Sequence, residues 1–146
     1  MVSVIKFIQE HALFHSEMAY NCKRKSFNLD SYEKTNQGIY FILDKEDILK
    51  VGKADGQTGL KGRIATYRNS LVENFKRGDS TVVLWNRVMT GSLSDRVLSI
   101  YLLPLEPEKK LFHGVEVELS IARSLELELS KLAKQQGHSL KLSGQN

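Results

Sequence analysis

The sequence predicts a small α+β domain in which helices flank a three-stranded antiparallel sheet, preceded by an N-terminal helical extension. Two β-rich runs on either side of a charged turn, residues 38–43 and 48–53, predict an antiparallel hairpin. A third β-rich run, over 96–103, predicts the third strand, and apolar residues at helical spacing predict helices over 60–75 and 115–136. With 146 residues, 41% of them hydrophobic, the chain is long enough to bury one core.

The N-terminal extension is predicted to begin with a helix over residues 3–20, for which Ser3 is a favourable N-cap. Residues 21–36 are basic and then polar, which predicts a connection followed by a loop. We therefore divide the chain into an N-terminal helix and connecting arm (1–37) and a core domain (38–146).

The remaining segments are predicted from their breaking residues. Turn formers over 54–59 and the stretch 104–114, which holds both prolines, predict loops, and Gly137 ends the last helix. Residues 80–90 have the propensity of a strand and the caps and spacing of a helix, and we favour the helix.

The composition excludes several classes of protein. No apolar run approaches the roughly 18 residues of a membrane span, so we expect no membrane partner. The N-terminus lacks the pattern of a signal peptide, so we expect a protein that is not secreted. The single cysteine, Cys22, cannot form an internal disulfide. A net charge of +4 suits an anionic partner.

Two sequence patterns could indicate a ligand. Gly56, Gly59 and Gly62 suggest a phosphate loop, but the Gly-Lys-Ser/Thr ending is absent, so we expect no nucleotide cofactor. We interpret them as shaping the loop before a helix whose first amides face an anion. His11 and His15 have the i, i+4 spacing of a metal-binding pair on a helix, and the alternative is a solvated helix face.

Three segments carry the residues that point to a function. The first is the predicted hairpin, with Gly38-Ile39-Tyr40 on its first strand and Lys50-Val51-Gly52 on its second. The second is a helix with Arg63 and Tyr67, and the third is the last helix, with Glu126. In this order and spacing the segments resemble the GIY-YIG nuclease superfamily, over residues 38 to about 138. Lys50 stands where a second tyrosine is usual, as a lysine does in some branches of the superfamily.

The resemblance implies a DNA endonuclease that uses one divalent ion, Mg²⁺ or Mn²⁺. It implies that Tyr40 is the general base or positions the attacking water, that Arg63 holds the phosphate, and that Glu126 binds the metal. Lys50 and Tyr67 complete the implied catalytic set.

The residue pattern is compatible with these roles. In a strand Gly38 and Tyr40 share a face, and Lys50 and Gly52 of the neighbouring strand can lie beside Tyr40 on that face. Gly52 leaves room for a phosphate or a backbone to approach. A guanidinium has the planar fork that suits phosphate oxygens.

Several alternatives stay open. Glu116, Glu118, Glu126 and Glu128 are all predicted on one helix, and Glu118 is the second choice for the metal ligand. Tyr40 could be a strand aromatic and Lys50 an edge-strand lysine. The alternative function is a non-catalytic nucleic-acid-binding module of the same fold, and a third is a protein-interaction domain.

Basic residues are frequent in the first half of the chain, and three of them are expected to contact nucleic acid: Lys53, Lys61 and Arg68. We expect DNA as the partner and a location in the cytoplasm or at the nucleoid. A homo-oligomer is compatible with the need to cut both strands.

Overall fold

A five-stranded antiparallel sheet forms the centre of the molecule. The computed structural model describes residues 1–21, 23–24, 26–69 and 95–143. The sheet has the strand order β2-β1-β5-β3-β4, and a separate hairpin is formed by β6 and β7. The elements are α1 (Val4–His11), β1 (Leu13–Asn21), β2 (Ser26–Asn28), β3 (Gln37–Asp44), β4 (Asp47–Ala54), α2 (Gly59–Asn69), β5 (Val97–Leu105), β6 (Glu108–Phe112), β7 (Val115–Leu119) and α3 (Ala122–Gln135). The α+β class predicted from the sequence is confirmed.

The predicted hairpin is present as β3 and β4. Tyr40 lies opposite Gly52, and Ile42 lies opposite Lys50. Beyond this pair the register shifts by one residue, which leaves Leu49 as the extra residue of a β-bulge. Lys45 takes a left-handed conformation (φ 55°) in the turn.

Two cores lie on opposite faces of the sheet. One contains Tyr40 and Ile42 of β3 and is covered by α2. The other contains Ile39 and Phe41 and is covered by α1 and α3. Because both faces are covered, β3 is buried along most of its length, which explains its nearly continuous apolar sequence.

The predicted helix over residues 3–20 is correct only in its first half. The Ser3 hydroxyl accepts a hydrogen bond from the Lys6 amide at 3.3 Å, so α1 is capped as predicted. The prediction is wrong from Leu13 onward, because β1 runs there and pairs with both β2 and β5. Together with β2 it raises the sheet from three strands to five.

The predicted helix over 115–136 is wrong at its start. Val115–Leu119 alternates apolar and acidic residues and forms β7, while α3 begins at Ala122. Its partner β6 lies in the segment that was predicted as a loop. His113 and Gly114 join the two strands with positive φ angles of 50° and 82°, as a type I′ turn requires.

The two ends of the described chain are held to the fold by hydrogen bonds. The Gln136 side chain accepts from the Val4 amide at 2.9 Å, which links α1 to the end of α3. The C-terminal segment (residues 138–143) lies along β4, with the Leu140 and Leu142 amides donating to carbonyls of β4 at 3.0 and 2.9 Å. Leu142 is fully buried as a result.

Three predictions fall outside the described residues: the helix over 80–90, the last part of the helix over 60–75, and Cys22. Among the helices in the described part of the chain, none combines the length and apolar character needed to cross a membrane.

Candidate active site

The Tyr40 ring lies directly over the backbone of Gly52. A Cβ atom placed on Gly52 would be 2.2 Å from Tyr40 Cζ and 2.4 Å from its hydroxyl oxygen. Any side chain at position 52 would therefore occupy the space of the phenol. The two motif strands are complementary at this point, and glycine is required by close approach rather than by its backbone angles.

Tyr40 meets Tyr67 of α2 through its hydroxyl group. The two hydroxyl oxygens are 3.0 Å apart, and the rings pack at 67° with centroids 5.9 Å apart. Tyr40 is 2% exposed and Tyr67 is fully buried. The structure thus brings together two of the predicted residues, and it gives both of them a place in the core.

Lys50 lies two residues before Gly52 and on the same face of β4. It is only 5% exposed, and its ammonium donates to the Leu142 carbonyl oxygen at 3.4 Å. A buried ammonium has to be hydrogen-bonded or paired to offset its lost hydration. The C-terminal segment therefore covers the Lys50 ammonium and also provides a hydrogen-bond acceptor for it.

Glu126 lies on α3, which packs on the other face of the sheet, yet its carboxylate is close to the charges of β4. Burial is the main influence and raises its pKa above the ordinary value of 4.5. Lys53 and Lys50 oppose this effect, whereas Asp55 adds to it. Lys53 is opposite Ile39 and therefore on the face that α3 covers. The half-buried carboxylate thus sits at the edge strand β4, where the charges of Lys50 and Lys53 reach it.

Glu116 and Glu118 are not on the same helix as Glu126, contrary to the prediction. Both lie on β7 and are exposed, and Glu118 faces Lys109 of β6. Glu128 is on α3 as predicted, with its carboxylate 3.4 Å from Lys131 on the exposed side.

Arg63 lines a pocket of about 200 Å³ at the start of α2. The other described lining residues are Ala54, Gly56, Thr58, Gly59, Gly62 and Thr66; neither Tyr40 nor Glu126 is among them. The volume is below the roughly 300 Å³ at which small-molecule pockets usually begin. It is large enough to admit a phosphate group, and it lies where β4 ends at Ala54.

The first amides of α2 are not available to an anion. They were expected to face one, because a glycine-rich loop precedes the helix. The Leu60 and Lys61 amides donate to the carbonyl oxygens of Asn36 and Lys34 at 2.8 and 3.2 Å. Gly59 has a positive φ of 54°, and an added Cβ would collide with the carbonyl oxygens of Thr35 and Asn36. The loop before β3 therefore caps α2.

The three basic residues expected at the DNA surface have different surroundings. Lys53 pairs with Asp55 at 3.1 Å, and Lys61 is 3.8 Å from Glu33, with both lysines substantially exposed. Arg68 donates through Nε to the Leu29 carbonyl at 2.7 Å, so it also anchors the segment after β2 to α2. Exposed ion pairs of this kind contribute little to stability.

The histidine pair does not have the geometry of a metal site. His11 ends α1, whereas His15 lies on β1, with its Nε2 2.7 Å from the Asp30 carbonyl oxygen and its ring edge-on to Tyr32. Within the described ranges, no group of three or more His, Cys, Asp or Glu residues is placed to hold a metal ion.

Two contributors to the site were missed at the sequence level. Asp55 is a second carboxylate beside Lys53, and its signal was its place directly after the motif strand, two residues beyond Lys53. Leu142 had no signal in the sequence, because its contact with Lys50 spans 92 residues.

Solved structures that share this fold include two endonucleases. A mutant of EndoII from bacteriophage T4 matches with a TM-score of 0.61, 17% identity, and coverage of 91% of this chain and 94% of that chain. The restriction endonuclease HPY188I in complex with product DNA matches with a TM-score of 0.53, 17% identity, and coverage of 92% of this chain and 80% of that chain. No family model and no curated protein matches the sequence. At this level of identity the likeness establishes the fold.

Proposed function

We propose that this chain is an endonuclease of the GIY-YIG type that hydrolyses phosphodiester bonds in DNA with the aid of one divalent ion. The proposal rests above all on the position of the Tyr40 phenol. Its ring packs over Gly52, its hydroxyl is hydrogen-bonded to that of Tyr67, and Lys50 lies on the same face of the hairpin. Tyr40, Lys50 and Gly52 share a face of the hairpin as expected, but the Tyr40 ring fills the space over Gly52 that was expected to admit a phosphate. The shared fold with two endonucleases, one of them solved with product DNA, supports the same activity.

Glu126 suits a hard divalent cation. Its desolvated carboxylate, with a raised pKa, gains more from a cation than an exposed carboxylate does. Mg²⁺ typically takes one or two carboxylates and completes its shell with water and substrate phosphate, so three protein ligands are not needed. When bound, Mg²⁺ or Mn²⁺ would supply charge stabilisation to the scissile phosphate and the leaving oxygen.

Tyr40 positions the attacking water or accepts its proton. A free phenol has a pKa of about 10, and a nearby cation favours its ionised form. Lys50 supplies that cation, because it lies on the face of the β3–β4 hairpin that also carries Tyr40. Tyr67 orients the phenol, because the hydroxyl pair restricts rotation of the Tyr40 O–H bond.

Arg63 binds the phosphate from the pocket at the start of α2. Its fork offers two parallel donors to phosphate oxygens, and the pocket is large enough to admit such a group. Lys53, Lys61 and Arg68 extend the positive surface along the DNA backbone. The protein would act in the cytoplasm or at the nucleoid.

A plasmid-nicking assay tests the proposal. The parent protein should nick DNA with Mg²⁺ or Mn²⁺ and lose this activity with a chelator. Glu126→Ala should abolish cleavage while DNA binding in a gel shift persists and weakens steeply with salt. Glu128→Ala is the matched control on the same helix and should cleave like the parent. Cleavage by Glu126→Ala at the parent's rate would contradict the role of Glu126.

A second function, non-catalytic nucleic-acid binding, is favoured by the burial of Tyr40 and Lys50, which gives both a structural reason to be present. It predicts a gel shift with the same salt dependence and no nicking by the parent under any metal condition. A protein that neither shifts nor cleaves DNA would exclude both functions and leave the protein-interaction domain.

A further inference from the structure

The hairpin of β6 and β7 stands apart from the main sheet. All ten residues of its two strands are exposed, and neither strand pairs with the five-stranded sheet. An isolated two-stranded hairpin is at best marginally stable in water. Further contacts are needed to hold it in one conformation.

The two faces of the hairpin differ in polarity. Residues directly opposite each other in a sheet share a face, so Phe112 and Val115 lie together with Val117 and Leu119 on one of them. Their exposed fractions are 68%, 62%, 37% and 41%. A contiguous apolar stripe of this kind is typical of an interaction surface.

The opposite face has the character of a solvated surface. It contains Lys109 and Glu118 opposite each other, and Lys109 also lies 3.5 Å from Glu116. This face therefore carries one lysine and two glutamates, and its one apolar residue is Leu111, which is exposed. The asymmetry identifies the stripe, and not the charged face, as the surface that is covered.

We propose that a second copy of this chain covers the stripe, so that two hairpins pack face to face in a homodimer. The apolar face also carries Glu108 and Lys110, two residues apart on β6. A two-fold axis that sets the two β6 strands antiparallel brings Lys110 of each copy to Glu108 of the other. This is the self-complementarity that an isologous interface requires.

The charge of the hairpin disfavours DNA as the occupant. Its strands carry three glutamates and two lysines, although the chain as a whole has a net charge of +4. A phosphate backbone would be attracted to the basic remainder of the chain and not to this hairpin. An apolar, internally neutral face fits a second copy better.

The dimer has a consequence that rests on the proposed function. One site cuts one strand of a duplex, whereas two sites joined through the hairpins can cut both strands. The variant that loses the dimer should therefore still nick a plasmid, but its rate of linearisation should fall at least tenfold.

Analytical ultracentrifugation of the full chain over a range of micromolar concentrations tests the interface. We expect the parent to sediment at twice 16.6 kDa and the double variant Val115→Gln, Val117→Gln at 16.6 kDa. The matched control Glu116→Gln, Glu118→Gln changes the same strand on its other face and should remain dimeric. Circular dichroism should show that each variant is folded, because all four positions are exposed.

A parent that stays monomeric overturns the proposal, as does a dimer that survives both valine substitutions. Weaker DNA binding by the valine variant, with a monomeric parent, would assign the stripe to DNA and also overturn it. These outcomes do not depend on cleavage, so an inactive parent that dimerises through the stripe would refute the proposed function alone.

Discussion

Replacement of Gly52 by alanine tests the close packing on which the site depends. The new Cβ would lie 2.2 Å from Tyr40 Cζ, whereas carbon atoms in contact are normally about 3.5–4.0 Å apart. The phenol or the strand must therefore move by more than about 1 Å. A movement of this size is enough to break the 3.0 Å contact with the Tyr67 hydroxyl.

The expected cost combines overpacking with the lost hydrogen bond. Overpacking of a core typically costs about 1–3 kcal/mol, and a buried hydrogen bond contributes about 1 kcal/mol. We expect Gly52→Ala to lower the free energy of unfolding by about 2–4 kcal/mol. At roughly 2–4 °C per kcal/mol for a domain of this size, Tm should fall by about 5–15 °C.

Thermal unfolding and plasmid nicking measure the two effects separately. Gly56→Ala is the matched control for thermal unfolding, since a Cβ there meets no atom within 4 Å; because Gly56 lines the Arg63 pocket, it does not serve as a control for nicking. Adding Tyr40→Leu to Gly52→Ala removes the colliding ring atoms, so the double variant should be more stable than the two separate losses imply. It should remain inactive. A Gly52→Ala protein with the parent's Tm and nicking rate would refute the reasoning.

Two further predictions concern the hydroxyl pair and the buried carboxylate. Tyr67→Phe removes one hydroxyl from the Tyr40 contact, so the free energy of unfolding measured in urea should fall by about 1 kcal/mol. The nicking rate should fall as well. The control Tyr101→Phe should change neither quantity. A nicking rate unaffected by Tyr67→Phe would remove the orienting role. Burial raises the pKa of Glu126, so the folded state binds the Glu126 proton more tightly than the unfolded state does. Above that raised pKa the buried carboxylate is ionised, and the protein is less stable as a result. Glu126→Gln should therefore unfold at higher urea than the parent at pH 7, with the gain disappearing below the ordinary carboxyl pKa. Equal urea midpoints for the parent and Glu126→Gln at pH 7 would contradict the burial argument.

The elements that sequence predicted well are those in which local pattern and tertiary position agree. The β3–β4 hairpin has β-rich strands on either side of a charged turn, and its register places Tyr40 opposite Gly52 as the motif requires. α2 and the second part of α3 have apolar residues at helical spacing that face a core.

The errors arose where a long-range pairing decided the structure. Residues 13–20 bury little beyond Ser16 and Met18, so their strand signal is weak, and pairing with β5 determines their conformation. Val117 and Ile121 happen to be four residues apart, which extended the helical pattern across β7. The alternation of Val115–Leu119 was the competing signal, with a period of two.

Motif order and spacing proposed Tyr40 and Tyr67 as site residues but did not predict that they are buried. Their hydroxyl contact depends on how α2 packs on the sheet. The C-terminal segment covers Lys50 only once the intervening chain has folded, so no local sequence pattern predicts the contact.

The position of β5 has a consequence for how the chain reaches its folded state. β5 lies between β1 and β3, although both of these precede it by more than 50 residues. On the ribosome, the inner edges of these two strands remain unpaired until residue 105 has been made, and exposed edges of this kind favour intermolecular pairing. Insertion of β5 closes two loops at once, so it should be the slow step of folding.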